Sequence, residues 1–164
     1  MPILQPNNTL LLITPLSGGS ELVLTPYSAR GLTQTLEPVA GPGAGGSALG
    51  TWLRESTNGE LLDLSYPWFR KLQSVISCSD TNTPCLDEAW MGQLCLVDCA
   101  CERNYPTGGS PARPEVSGSS RVEGAITFYR PQLTMRITGI KSTFAEYKAD
   151  YSWQIDLREA FPPS

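Results

Sequence analysis

Histidine is missing: none of the 164 residues carries an imidazole. That absence excludes Ser-His-Asp and Cys-His nucleophile activation, zinc sites of the HExxH kind and imidazole pH switching. Charge is sparse too, at 17% of the chain, and sums to −4 at pH 7. Nucleic acid is gripped by neutralising phosphates with a surplus of Lys and Arg, so sequence-specific nucleic-acid binding is not expected. Long apolar runs are also lacking. The longest, Leu10-Leu11-Leu12-Ile13, falls far short of the roughly 20 residues that span a bilayer. The start, Met1-Pro2-Ile3-Leu4-Gln5-Pro6, sets no basic lead before an apolar stretch. A secretory signal is therefore not expected, and the chain reads as made and used without membrane insertion.

What is present leans toward strands. Fifteen glycines and 14 prolines exceed their average share, while runs rich in Ala, Lys and Glu are few. An apolar fraction of 40% with four Trp is enough for a core, and the length suits one domain. The expected fold is a single mainly β domain over residues 1–164, an antiparallel β-sandwich or barrel. It would carry two long Gly/Pro/Ser-rich loops, at 41–50 and 103–121, and at most one or two short helices.

Along the chain, Leu10–Ile13 and Leu22–Leu24 flank Ser17-Gly18-Gly19-Ser20 as strand, turn and strand. Thr33 and Thr35 favour a strand over 31–37, ended by Pro38. Asn58-Gly59, between residues 51–57 and 60–64, signals a hairpin with a type I′ turn. Leu72, Ser74, Ile76 and Cys78 share one face of a strand, and residues 79–84 read as a loop. Three further strands are expected to lie side by side at 122–129, 132–140 and 150–158. Their apolar faces would be Val122, Gly124, Ile126 and Phe128; then Leu133, Met135 and Ile137; then Tyr151, Trp153, Ile155 and Leu157. A bend or short helix falls at 144–148.

The five cysteines are Cys78, Cys85, Cys95, Cys99 and Cys101. An odd number without a signal fits reduced thiols better than a disulfide framework. On a strand from Leu94 to Glu102, period-two alternation sends Cys95, Val97, Cys99 and Cys101 to one side, as small apolar core residues. Four thiolates could instead hold a metal or iron–sulfur group, but their spacing matches neither paired CxxC knuckles nor a ferredoxin run. No cofactor or metal ligand is assigned from the sequence.

Catalysis has few candidates. A carboxylate pair drawn from Asp87, Glu88, Asp98 and Glu102 could cleave a glycosidic bond, a reaction that needs only two well-separated acids. Residues 41–50 lack the Gly-Lys-Ser/Thr ending of a phosphate loop. Thr134, Arg136 and Thr138, with Gln154, Asp156 and Arg158, form exposed strand faces that are either solvated or an interface within an assembly.

Several stretches together resemble small virion structural proteins of long-tailed bacteriophages, the minor tail and tail-tip components. They are Tyr27-Ser28-Ala29-Arg30-Gly31-Leu32-Thr33-Gln34-Thr35-Leu36-Glu37-Pro38, then Thr57-Asn58-Gly59-Glu60-Leu61-Leu62-Asp63-Leu64-Ser65, and Ile76-Ser77-Cys78-Ser79-Asp80. Trp90-Met91-Gly92-Gln93-Leu94-Cys95-Leu96-Val97-Asp98-Cys99, Tyr105-Pro106-Thr107-Gly108-Gly109 and Glu123-Gly124-Ala125-Ile126-Thr127-Phe128-Tyr129-Arg130-Pro131 complete the pattern. Cys85, Cys95 and Cys101 depart from it. The resemblance implies a non-enzymatic tail protein of the virion, made in the bacterial cytoplasm. It would assemble with itself in a ring, expected as a hexamer, and with other tail proteins, the two loops clasping neighbours. A receptor-binding or decorating module, and more remotely a carboxylate-dependent hydrolase, are the other readings.

Overall fold

A computed structural model describes residues 11–17, 22–24, 32–39, 53–63, 70–80, 89–148 and 150–160. Twelve strands run through them: β1 (Leu11–Pro15), β2 (Leu22–Leu24), β3 (Thr33–Pro38), β4 (Leu53–Glu55), β5 (Leu61–Asp63) and β6 (Leu72–Asp80) precede β7 (Leu94–Asp98). There follow β8 (Arg103–Pro106), β9 (Arg121–Glu123), β10 (Ile126–Tyr129), β11 (Gln132–Ala145) and β12 (Asp150–Glu159), with a 3-10 turn at Glu146–Lys148. The fold is mainly β, and every strand pair is antiparallel.

Seven strands form the main sheet in the order β2-β1-β7-β11-β12-β6-β3. The sheet is open, starting at β2 and ending at β3, rather than closed into a barrel. Its alternation gives it one apolar face and an opposite face that is mainly polar over β3, β6, β11 and β12. Leu11 and Ile13, Cys95 and Val97, Leu133, Met135 and Ile137, Trp153, Ile155 and Leu157, and Leu72, Ile76 and Cys78 bury together as a single core. These are the faces the alternation predicts for β6, β7, β11 and β12. Fully burying a side chain such as Leu or Ile contributes about 1.5–3 kcal/mol, so this face is the main source of stability.

Several expectations are corrected. Residues 122–129 are not one strand beside 132–140: Gly124 turns the chain at φ 62, and β9 and β10 form a tight hairpin joined by Gly124 and Ala125. That hairpin pairs with β8 in a separate three-stranded sheet, order β8-β10-β9. Its faces are also inverted. Thr127 and Tyr129 are the buried residues, while Val122 is 63% and Ile126 43% exposed. Tyr129 wins the interior because its ring meets the Tyr105 ring edge-on, centroids 5.5 Å apart.

The Asn58-Gly59 hairpin forms, as β4 and β5, but around a three-residue loop. Gly59 N–H donates to Ser56 O at 2.9 Å, and Ser56 N–H donates to Glu60 O at 2.8 Å. Only Gly59, at φ 77, is left-handed, as in a type I turn followed by a bulge. The segment 103–121 is likewise not wholly loop, since it begins as β8. The remainder bonds to its own chain: Gln132 N–H to Pro114 O at 2.8 Å, Val116 N–H to Arg130 O at 2.8 Å and Arg130 N–H to Ser119 Oγ at 3.1 Å. These bonds satisfy backbone groups that a clasp would have offered to a neighbour. β6 runs on to Asp80, so residues 79 and 80 are strand, not loop. The 41–50 excursion, Cys85 and the rest of the 79–84 loop lie outside the described residues.

A polar sheet face as the candidate functional site

Across β3, β6, β11 and β12 the second face of the main sheet is mainly polar, because the residues between the core positions are Thr, Ser, Gln, Asp, Glu, Arg and Lys apart from Val75. Across β1 and β7, Leu12, Leu94 and Leu96 make it apolar. Cross-strand register sets the polar residues in rows. Thr33 lies opposite Ser77, Ser77 opposite Gln154, and Gln154 opposite Lys141. Ser79 lies opposite Ser152, and Ser152 opposite Thr143. Ser77, Cys78, Ser79, Lys141, Thr143, Ser152, Trp153 and Gln154 line a shallow hollow of about 360 Å³. Its lining mixes hydroxyl, amide and ammonium groups with apolar surface.

The six residues expected on exposed strand faces are all found on this side of the sheet. A β-bulge between Ile137 and Gly139 interrupts their rows. There Thr138 Oγ donates to Asp156 O at 3.2 Å, and Gln154 Nε2 donates to Asp156 Oδ1 at 2.7 Å. A Cβ at Gly139 would stand 2.7 Å from Asp156 Oδ2, so a larger residue at the bulge must displace that carboxylate. Arg136 and Arg158 lie directly opposite each other, and the Arg136 guanidinium turns away to donate to the Gly92 carbonyl.

Gln34 joins two parts of the sheet that share no ladder. Its Oε1 accepts Ala100 N–H at 2.7 Å and Cys101 N–H at 3.3 Å, and its Nε2 donates to Ser74 Oγ at 3.2 Å. The Cys101 thiol donates to the Gln34 carbonyl at 3.1 Å. The end strand β3 is thereby stitched to the chain leaving β7. Nothing in the sequence marked Gln34, because the bond joins residues far apart in the chain.

Of the cysteines, Cys78, Cys95 and Cys99 are buried in the core and Cys101 is half-buried, and Cys95, Cys99 and Cys101 are free thiols. Burial pushes the Cys95 and Cys101 thiols above their ordinary range and the Cys99 thiol up to about 12. At neutral pH they are protonated, and thiols are poor nucleophiles and poor metal ligands in that form. Among the described residues, no three of His, Cys, Asp and Glu gather as a metal would need.

The candidate acids have other partners. Gln132 Nε2 donates to Asp98 Oδ1 at 2.8 Å. Glu102 accepts from Arg121 Nη2 at 2.7 Å, and that hydrogen bond holds its carboxyl below the usual range, the wrong direction for a general acid. Asp87 and Glu88 lie outside the described residues.

One feature of the surface goes unmarked in the sequence. Residues 90–93 turn tightly, with Gln93 N–H on Trp90 O at 3.1 Å and Gly92 at φ 90. The turn leaves Trp90 72% and Met91 70% exposed. Comparison of the chain with protein families, with curated proteins and with solved structures finds no match.

Proposed function

We propose that this chain is a non-enzymatic structural protein of a bacteriophage virion, built into the tail at its tip or distal ring. The sequence resemblance to minor tail proteins suggests the setting. The observation that carries the assembling role is the open seven-stranded sheet, whose end strand β2 pairs on one side only among the described residues, while the outer edge of β3 is in part covered by the Cys101 thiol on the Gln34 carbonyl. An unpaired strand edge is a template for pairing with another chain, and closed cyclic symmetry is the usual way to cover such edges. The polar face gives a ring a surface that meets water or other polar proteins. A net charge of −4 keeps phosphate contacts weak, as a passage for DNA requires.

The experiment is to image particles carrying a tag on this chain, and purified protein beside them. Density at the tail tip, arranged as a ring on the particle, is the expected result. Tagged protein spread over the capsid, or absent from particles, would overturn the reading. The exposed Trp90 and Met91 favour a second reading, a receptor-binding module. Host-cell binding by the purified chain, lost in Trp90→Ser, would then be seen without rings.

A further inference from the structure

β11 is much longer than the neighbour on one of its sides. β7 pairs with it only from Gln132 to Arg136, and the turn before β7 adds the bonds Ile137 N–H to Gln93 O and Gly92 N–H to Ile137 O. On its other side β11 stays paired with β12 through to Ala145 opposite Asp150. Residues 138–145 therefore have no strand on the β7 side among the described residues. Lys141 through Tyr147 are all exposed to solvent, Phe144 at 63% and Tyr147 fully.

We propose that this edge is an interface for a second copy of the chain, added antiparallel about a two-fold axis at Ser142. The backbone parity fits. Ala160 N–H donates to Thr134 O, which places the β12-facing bonds at every second β11 residue. After the one-residue bulge they fall at 139, 141, 143 and 145. Ile140, Ser142 and Phe144 then turn their N–H and C=O groups outward. A two-fold axis at Ser142 faces Ser142 with its own copy and Ile140 with Phe144 of the second copy, so each facing pair exchanges two hydrogen bonds.

The side chains fit the same register. The Ile140–Phe144 contact is an aromatic–β-branched pair, a favourable cross-strand combination. Lys141 meets Thr143 of the second copy rather than Lys141, so like charges are not directly opposed. The register also ends the second copy's strand beside Ile137, where Gly92 is bonded. The Glu146–Lys148 turn of the second copy, bearing Tyr147, then abuts the turn bearing Trp90 and Met91. Phe144, Tyr147, Trp90 and Met91, four of the large exposed apolar side chains, are accounted for by one axis.

This interface does not depend on the tail reading. Sedimentation equilibrium of the purified chain, over a wide concentration range, should give twice the chain mass of 17.8 kDa. Ser142→Pro removes an outward N–H without touching the β12 ladder, and should return the mass to that of one chain with an unchanged β circular dichroism spectrum. If the proline variant fails to fold, Phe144→Ser at an exposed site should still weaken the dimer. Amide exchange at Ile140, Ser142 and Phe144 should slow as concentration rises. A monomer at every concentration would sink the interface. A dimer or ring that persists unchanged in both variants would do the same, since it would use another surface.

Discussion

Arg113 grips Glu159 with two guanidinium nitrogens, Nε 2.8 Å from Oε1 and Nη2 3.1 Å from Oε2, across a sequence distance of 46 residues. The same carboxylate accepts Leu72 N–H at 2.8 Å, and Arg113 Nη2 also donates to Arg70 O at 2.8 Å. The pair ties the irregular 107–120 segment to the end of β12 and the start of β6. Glu159 is only 6% exposed, so removing the arginine strands a charge. Arg113→Met should cost about 3–5 kcal/mol in urea unfolding. Adding Glu159→Gln should recover part of that loss, because the uncompensated charge is then gone.

Gln34 should prove more costly to truncate than an ordinary surface amide. Gln34→Ala leaves Ala100 N–H and Cys101 N–H without their acceptor, at about 1–3 kcal/mol. A loss below a few tenths of a kcal/mol in thermal unfolding would mean that water replaces the stitch.

Cys99 gives a pH dependence of definite sign. Its folded pKa, raised by burial to about 12, lies above the ordinary 9.0. The folded state therefore holds its proton longer than the unfolded chain does. The contribution is fully present below pH 9, and stability falls as pH climbs from 9 toward 12. The slope is roughly 1.4 kcal/mol per pH unit while only the unfolded thiol ionises. Comparing alkaline unfolding of the parent with Cys99→Ala isolates the contribution of this thiol. A thiol reagent at pH 8 should label Cys99 only after unfolding. Cys95→Ser and Cys99→Ser should each lose about 1–3 kcal/mol by burying a hydroxyl, without abolishing folding.

Gly139→Ala should destabilise by about 1–3 kcal/mol, since its methyl would overlap the Asp156 carboxylate. In an Asp156→Ser background the same change should cost less. Additive losses in the double variant would show that the strain lies elsewhere.

The sequence discloses what repeats locally. Period-two alternation marked the buried faces of β6, β7, β11 and β12, and Asn58-Gly59 marked the hairpin, because these signals lie within a few residues of each other. At 122–129 the same method inverted the faces. Ile126 and Phe128 are more apolar than Thr127, yet the Tyr105 ring holds Tyr129 inside and takes Thr127 with it. Gly124 fits the strand alternation, although its φ of 62 makes a turn. The polar face was legible as alternation, and its hollow was not, since the rows depend on the register of β6, β12 and β11. Gln34 and Arg113 bond across 66 and 46 residues, a distance at which no spacing rule operates.

The strand order also governs how the chain finds its fold. In the main sheet, only β1–β2 and β11–β12 join strands that follow one another along the chain. β1 must find β7, so Leu12 comes to lie opposite Asp98, and β6 must find β12, with Cys78 opposite Trp153. Such non-local pairings close large loops before any contact rewards them, and sheets built this way fold in about milliseconds to seconds. The β11–β12 ladder is the longest local one and is expected to form first. For that interval both of its flanks are bare, and newly made chains at high concentration meet one another through β11 before β7 has arrived.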